Sequence, residues 1–308
     1  MLKLDPITLS VVRGVLETTQ REMTLALEKT SRSSVLNLAR DYSTTIFNST
    51  PEMILQGQDI PIHLGSFMPA MKAVADFFGE DIHEGDLILH NDPAYQGSHI
   101  VDMCMYRPVF YKEKHVFWTA CKGHLTDAGG PVPASYNPEA TEIFAEGLRI
   151  PPIKLWDKGK PQDDILNMIL TNMRARRDQE GDFRALIGSC QVGERNLINM
   201  LDKYGLDEVN LCIDELLSMA DRHMRSLIKE IPDGNYSGTA ILEDAGHGLG
   251  DMEITANLTI KDDTCNIGII SPPQVPYFIN SYEGNSYSGV YLGLMMFAQL
   301  PPPYNEGL

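Results

Sequence analysis

The stretch from His90 to Gly130, HNDPAYQGSHIVDMCMYRPVFYKEKHVFWTACKGHLTDAGG, decides how this chain is organised. It places Asp102 three residues after His99 and Asp127 three residues after His124. The residues between the two pairs are mostly apolar and are typical of β-strands. If the two halves pair as neighbouring strands, two imidazoles and one or two carboxylates meet at one end of a sheet. The stretch therefore predicts a cluster of metal-binding side chains.

The donor types favour a divalent metal with open coordination positions. Imidazole nitrogen binds zinc, iron and manganese, whereas carboxylate with water favours manganese or magnesium, and so few protein ligands leave room for a substrate. Gly97 and Gly123 stand close before the two histidines and allow the backbone to bend sharply or to approach a ligand closely. A single histidine more often satisfies a local hydrogen bond, so the prediction depends on the joint pattern.

Length and composition limit the function classes. A chain of 308 residues suffices for one large domain or two ordinary ones, and its formal net charge of -17 argues against binding to nucleic acid. The sequence has neither an 18-residue apolar run nor a basic-then-apolar leader, so we expect no membrane span or secretory signal and take the cytoplasm as the expected compartment. The five scattered cysteines fit reduced thiols.

Periodicity predicts a mixed α+β fold with three regions. Residues 1–160 form an N-terminal α/β region with the metal site, beginning with an amphipathic helix over 5–31 that Asp5 caps. Residues 161–231 form a helical lobe with segments near 163–187, 189–204 and 207–230. Residues 232–308 form an antiparallel β region that is incomplete at its C-terminal end, with three strand-like runs and then an apolar helix candidate.

Three further polar residues are candidates for the pocket, each with a structural alternative. Asp41 lies at the start of a strand predicted over 40–48, where a role in a turn or cap is the alternative. His63 precedes Gly65 and lines a pocket or caps a helix. Asp92 follows the short strand LILH, and turn chemistry accounts for part of its presence in Asn91-Asp92-Pro93.

The sequence contains no G-x-x-x-x-G-K-[ST] loop for nucleotide phosphates. The glycine-rich segment GHGLGD at 246–251 joins two strand-like runs and lacks the strand-to-helix context of a phosphate loop. We therefore predict a hairpin loop there and no nucleotide-binding loop of this kind in the chain.

Motifs in fixed order over nearly the whole chain resemble the hydantoinase B/oxoprolinase family. That family includes the metal-bearing subunits of N-methylhydantoinase-type enzymes and of acetone and acetophenone carboxylases. The matching segments are DPITLSVVRGVLE, RDYSTTIFN, IPIHLGSF, LHNDPAYQGSHIVD, GHLTDAGG, TEIFAEGLRIPP, GDFRA, VGERNL and IPDGNY. They identify the family without identifying a substrate.

The resemblance implies roles for the residues of the site. It assigns a manganese site to His99, Asp102 and His124, and it gives Asp127 the role of orienting an imidazole. Many relatives carry a second histidine where this chain has Leu125, which leaves manganese and zinc both open. It also implies that the pocket candidates Asp41, His63 and Asp92 support catalysis.

The resemblance further implies a partner subunit of the hydantoinase A type, which has an actin-like ATPase fold, binds ATP and phosphorylates the substrate. Small subunits are further candidate partners. Relatives are longer than 308 residues, so the resemblance implies that a C-terminal part of the fold is missing or supplied by another chain.

Three functions follow as hypotheses. The leading one is the metal-bearing catalytic subunit of an ATP-dependent ketone carboxylase of the acetophenone or acetone type, which carboxylates an enol phosphate or enolate. The alternative is a subunit of an ATP-dependent hydantoinase, oxoprolinase or lactam hydrolase. The third is a non-catalytic scaffold, for which His99→Ala would leave activity unchanged.

Overall fold

A seven-stranded antiparallel sheet forms the centre of the protein, whose structure, a computed structural model, describes residues 4–277, 279–299 and 304–308. In space the strand order is β2-β1-β5-β4-β3-β6-β7, so the long hairpin β4–β5 is central. The strands are β1 (Tyr42–Asn48), β2 (Met53–Gln56), β3 (Leu87–His90), β4 (Asp102–Tyr111), β5 (Lys114–His124), β6 (Ile153–Asp157) and β7 (Lys160–Pro161).

The hairpin β4–β5 has the pairing that the sequence predicts. A two-residue turn, Lys112-Glu113, joins the strands, and both of its residues have positive φ, as tight hairpins with a type I′ turn require. At the other end of the ladder Asp102 pairs with His124. The central parts of both strands are buried on both faces, which explains why they are apolar along most of their length.

Helices cover both faces of this sheet. On one face α1 and α5 pack together, with α5 against β4 and β5 and α1 against β1 and β2, and on the other face α3 packs with α7. Asp5 accepts a hydrogen bond from the Thr8 backbone and begins α1 as predicted. The helices are α1 (Pro6–Thr30), α2 (Ser34–Asn37), α3 (His63–Phe78), α4 (Asp163–Thr171), α5 (Arg176–Tyr204), α6 (Leu206–Ile228) and α7 (Glu283–Ala298).

Strand alternation divides the hairpin side chains between the two helical layers. Met105 and Cys121 face α5 and belong to one hydrophobic cluster with Leu186. Tyr106 and Trp118 face α3 and belong to another cluster. Asp102, Lys122 and His124 have the same parity as this second set, so the polar end of the hairpin lies on the α3 side.

The helical segment 161–231 packs directly on the N-terminal region. Helix α5 contacts α1, β4 and β5, and its close approach depends on Gly193, where an added Cβ would lie 2.5 Å from Met23 Sδ and 2.7 Å from Thr119 Cγ2. The predicted break between 187 and 189 is wrong, because α5 continues through Gly188. The division of the chain into three regions stays a prediction.

The C-terminal region contains the predicted antiparallel meander. Its strands β8 (Gly234–Leu242), β9 (Met252–Lys261) and β10 (Thr264–Ile270) lie in the order β10-β9-β8, and residues 246–251 fall in the loop between β8 and β9. The mixed α+β class is confirmed. Within the described ranges, no helix combines the length and apolarity needed to cross a membrane.

Candidate metal centre

Strand register and a tight turn bring the three predicted metal ligands together. Asp102 begins β4, His124 ends β5, and the two are direct cross-strand partners on the face covered by α3. His99 lies in the turn that leads into β4, where its carbonyl accepts a hydrogen bond from the Asp102 amide at 3.1 Å. The turn thus folds His99 back over the start of the strand.

The carboxylate of Asp102 lies between the two imidazoles. Asp102 Oδ1 is 2.8 Å from His124 Nδ1, and Oδ2 is 3.1 Å from His99 Nδ1. One ligand atom from each of the three residues lies within 4.8 Å of the other two. The Asp102 side chain is only 2% exposed, whereas that of His99 is 56% exposed, so the cluster has a closed base and an open side.

Hydrogen bonding controls the charge of this cluster. Burial alone would raise the pKa of Asp102, but its bonds with His124 and His99 outweigh burial and hold that pKa well below the ordinary value. The bond with Asp102 raises the pKa of His99 above its ordinary value. A carboxylate anion therefore lies between two groups that can donate a nitrogen to a cation.

This donor set fits a divalent ion. Two imidazole nitrogens and one carboxylate oxygen are ligands that zinc accepts with a position left for water or substrate, and manganese accepts the same types. The exposed side of His99 is where such a position would open. Coordination by His99, Asp102 and His124, and the identity of the ion, stay predictions.

The structure places Asp41 beside this cluster. Its carbonyl accepts a hydrogen bond from the His124 amide at 3.0 Å, just before β1 begins. Burial raises the pKa of the Asp41 carboxyl, and the charges of His124, Asp102 and His99 act on it as well. Asp41 is therefore close enough to act on the cluster electrostatically, as a pocket residue would.

His63 lies at the start of α3, beneath the cluster. Its ring is buried, and Nδ1 lies 2.9 Å from the Ser43 hydroxyl. Burial, and then the charge of Lys122, lower the pKa of His63 to about 3, so the ring is neutral at physiological pH. The structure thus brings His63 towards the site, bonded to β1 through Ser43.

Asp92 has structural partners. Its carboxylate accepts a hydrogen bond from the Ala94 amide at 3.0 Å and so caps the short 3₁₀ helix Pro93–Tyr95. It also pairs with Arg149, whose Nη2 lies 2.9 Å and 3.0 Å from its two oxygens. A helix cap and an ion pair explain these contacts. A catalytic role for Asp92 stays a prediction.

Asp127 does not hold an imidazole, contrary to the expectation from the resemblance. Its carboxylate accepts hydrogen bonds from the amides of Gly129, Ala134 and Arg174 at 2.9 to 3.1 Å, and Arg174 Nη1 lies at 2.8 Å. These bonds attach the loop after β5 to the segment before α5. The carboxylate that contacts both imidazoles is Asp102.

Two residues that were not predicted from the sequence belong to the site. Lys122 is fully buried, and its Nζ donates hydrogen bonds to the hydroxyls of Ser66 at 2.7 Å and Ser98 at 3.1 Å. Ser98 Oγ in turn lies 2.5 Å from Asp102 Oδ2. The available signal was a lysine inside an apolar strand, two residues before His124 and therefore on the same face.

A cavity of about 1770 Å³ opens beside the exposed side of His99. Its polar wall includes Ser98, Tyr136 and Glu146, and burial raises the pKa of the Glu146 carboxyl. The opposite wall is apolar and comes from β9, β10 and α7, with Ile254, Leu258, Ile267, Val290, Leu294 and Phe297. The cavity therefore combines a large apolar surface with polar groups next to the cluster.

A family model described as Hydantoinase B/oxoprolinase matches residues 5–308. The chain belongs to the hydantoinase B/oxoprolinase family. The predicted resemblance is therefore confirmed, and it covers almost the full length of the chain.

The chain is similar to a caprolactamase subunit and to solved structures of two ATP-dependent enzymes. Caprolactamase subunit beta from Pseudomonas jessenii is 70% identical over 308 residues, which is 100% of this chain and 53% of that protein. The crystal structure of the ATP-dependent caprolactamase from Pseudomonas jessenii superposes with a TM-score of 0.95 over 99% of this chain. A nucleotide-free acetone carboxylase has a TM-score of 0.90 at 19% identity, over 98% of this chain and 42% of that one, and this likeness concerns the fold.

The chain spans about half the length of the caprolactamase beta subunit that it matches. The described residues nevertheless include all three members of the candidate metal cluster and the cavity beside it.

Proposed function

We propose that this chain is the metal-bearing part of an ATP-dependent enzyme that hydrolyses a cyclic amide. The observation that carries the proposal is the convergence of His99, Asp102 and His124 at a cavity, in a chain 70% identical to caprolactamase subunit beta. Identity at this level over the whole chain supports the lactam hydrolase hypothesis more strongly than the leading expectation of a ketone carboxylase. The carboxylase relative matches at 19% identity, where only the fold is comparable.

The metal would be held by His99, Asp102 and His124, with zinc and manganese both compatible with the donors. When bound, such an ion polarises a carbonyl oxygen and lowers the pKa of water. Asp102 contributes a negative charge, because its hydrogen bonds with both histidines keep it ionised. His99 reaches the cavity and so lies next to any substrate that enters there.

The cavity supports an apolar cyclic substrate. Its walls from β9, β10 and α7 would pack against ring methylene groups and exclude water from them, while the amide would lie at the polar end with Glu146 and His99. Burial raises the pKa of the Glu146 carboxyl, so this group keeps its proton to a higher pH than an exposed glutamate does. His63, which is neutral, would support the cluster from below without adding charge.

Activation of the amide belongs to a partner in this proposal. The sequence has no G-x-x-x-x-G-K-[ST] loop, and a hydantoinase A-type ATPase subunit would transfer the terminal phosphoryl group of ATP to the amide oxygen. Water then adds to the activated carbon, and the C–N bond breaks to leave an amine and an acyl phosphate. A second water hydrolyses the acyl phosphate to the carboxylic acid and phosphate. The overall reaction consumes ATP and water and yields the open-chain amino acid, ADP and phosphate.

The test is a substrate comparison with the full-length protein assembled with its ATPase subunit. We expect ATP-dependent ring opening of a lactam such as caprolactam, measured by chromatography of the amino acid product, and loss of that activity in His99→Ala. Bicarbonate-dependent carboxylation of acetone or acetophenone without lactam or hydantoin turnover would overturn the proposal in favour of the carboxylase.

The scaffold hypothesis makes a different prediction. It expects no stoichiometric metal in the purified complex and unchanged activity after His99→Ala. Elemental analysis of the complex separates it from the enzymatic proposal, because a catalytic site of this kind requires about one divalent ion per chain.

A further inference from the structure

Lys122 is a buried lysine outside the predicted set of site residues. It lies on β5 two residues before His124, so strand alternation turns both side chains to the α3 face. Its side chain is fully buried, and Nζ lies 4.9 Å from the centre of the Phe67 ring. A buried amine needs compensating hydrogen bonds, because removing it from water is costly.

The compensating bonds go to two hydroxyls. Nζ donates to Ser66 Oγ at 2.7 Å, and Ser66 Oγ donates to the His63 carbonyl at 3.1 Å. Nζ also donates to Ser98 Oγ at 3.1 Å. Both serines are buried, so these bonds are shielded from competition with water.

The direction of the hydrogen bonds through Ser98 follows from donor chemistry. A protonated lysine offers donors and no acceptor, so Ser98 Oγ must accept from Lys122. The one hydroxyl proton of Ser98 is then free for Asp102 Oδ2, at 2.5 Å. Lys122 thus fixes which way the Ser98 hydroxyl points, and that hydroxyl holds Asp102.

The same oxygen of Asp102 also faces His99. Oδ2 lies 3.1 Å from His99 Nδ1 and accepts from the His99 amide at 3.3 Å, whereas Oδ1 faces His124. Rotation of the carboxylate would break both imidazole contacts at once. The Ser98 hydroxyl opposes this rotation, because it donates a hydrogen bond to Oδ2 from the buried side of the carboxylate.

We propose that Lys122 is a positioning residue, which acts through Ser98 to orient Asp102 and thereby sets the affinity of the His99–Asp102–His124 cluster for a divalent cation. This inference rests on the proposed metal site. Lys122 is fully buried, so it does not itself contact a substrate in the cavity.

The experiment measures the affinity of the metal-free, assembled full-length enzyme for Zn²⁺ by competition with a chromophoric chelator. Lys122→Met keeps an unbranched apolar side chain next to Phe67 and removes the donors, and Ser98→Ala removes the connecting hydroxyl. We expect each variant to bind Zn²⁺ about 10- to 100-fold more weakly, as for other groups that orient a metal ligand. The double variant should lose little more than either single one, because both residues act in one chain.

Cys104→Ala is the matched control. Cys104 is buried and is the cross-strand partner of Lys122, so this variant perturbs the packing of the same layer without removing a bond to Asp102. It should lower the melting temperature and retain the wild-type affinity for Zn²⁺. The absorption spectrum of the Co²⁺-substituted protein provides a second readout, which should change in Ser98→Ala and stay unchanged in Cys104→Ala.

The outcomes separate this inference from the proposed function. If the wild-type protein binds Zn²⁺ and Lys122→Met binds it with the same affinity, the positioning role is overturned and the proposed metal site stands. A wild-type protein without affinity for Zn²⁺ or Mn²⁺ would overturn both. If Lys122→Met does not fold, the affinity of Ser98→Ala for Zn²⁺ provides the test. A wild-type affinity in Ser98→Ala would contradict the inference.

Discussion

Asp102 and His124 are cross-strand partners at the end of the central hairpin, with 2.8 Å between Asp102 Oδ1 and His124 Nδ1. Their relationship is set by backbone register, which a sheet buried on both faces maintains strongly. Because Asp102 also contacts His99, one buried carboxylate controls the position of both imidazoles.

Replacing this carboxylate should abolish metal binding. Asp102→Asn keeps the shape of the side chain but removes its charge and turns an amide nitrogen towards one of the imidazoles. We expect the bound metal, measured by elemental analysis of the purified complex, to fall to background. Asp86→Asn is the control, because Asp86 is also buried beside a histidine and a lysine but lies outside the cluster. Its metal content should stay at the wild-type level, and equal losses in both variants would contradict the prediction.

Replacing either of two glycines of α5 with alanine should change the free energy of unfolding, in opposite directions. At Gly193 a Cβ would lie 2.5 Å from Met23 Sδ and 2.7 Å from Thr119 Cγ2, so Gly193→Ala should lower the free energy of unfolding by about 1–3 kcal/mol. At Gly188 nothing lies within 4 Å of the added atom, and Gly188→Ala should raise it by about 0.5–1 kcal/mol through helix propensity. Urea denaturation measures both values, and equal effects would be evidence against close packing at Gly193.

Asp59 should make stability depend on pH. Burial raises the pKa of Asp59 to about 6, above its value near 3.9 in an unfolded chain. Between these two values the folded state holds the extra proton, so this residue makes stability fall as pH rises from about 4 to 6. Asp59→Asn should therefore raise the free energy of unfolding at pH 7 by on the order of 2 kcal/mol and have little effect near pH 4. Thermal melts at the two pH values check this, and a gain of the same size at both would rule out the titration of Asp59 as its cause.

The salt bridge between Arg174 and Asp127 should be needed for loop order and not for metal binding. Arg174→Met removes the guanidinium that bonds to Asp127 and to the carbonyls of Gly130 and Val132. We expect faster amide hydrogen exchange over 127–135 and unchanged metal content. Loss of the metal in this variant would restore the earlier expectation that Asp127 supports the histidines.

The sequence predicted the clustering of His99, Asp102 and His124 because the geometry of this cluster depends on local spacing and strand pairing. His99 and Asp102 lie within one turn, and the apolar segment between Asp102 and His124 has the right length for a hairpin with a two-residue turn. Asp127 has the same spacing from His124, but there the chain leaves the sheet, since the Leu125 amide already bonds to Val101 outside the ladder. Asp102 and Asp127 each follow a histidine by three residues, but the fold gives them different surroundings. The spacing by itself does not predict this difference.

Other features depended on tertiary contacts that a sequence does not show. Gly188 was expected to end a helix, but α5 has enough buried side chains to outweigh the cost of about 1 kcal/mol for one glycine. The partner of Asp127 is Arg174, which is 47 positions away along the chain. Lys122 could have been recognised by its parity with His124, although its bond to Ser98 required the folded turn.

The two-residue turn at Lys112-Glu113 lies at the opposite end of the same hairpin from the candidate metal cluster. Ten strand residues separate the ends, which at about 3.4 Å per residue places the turn roughly 30 Å from Asp102. A fluorophore or a short peptide tag inserted at this turn would thus be attached to the two strands that carry Asp102 and His124, yet far from both residues. It offers a fixed point from which the distance to a labelled subunit of the proposed ATPase type could be measured.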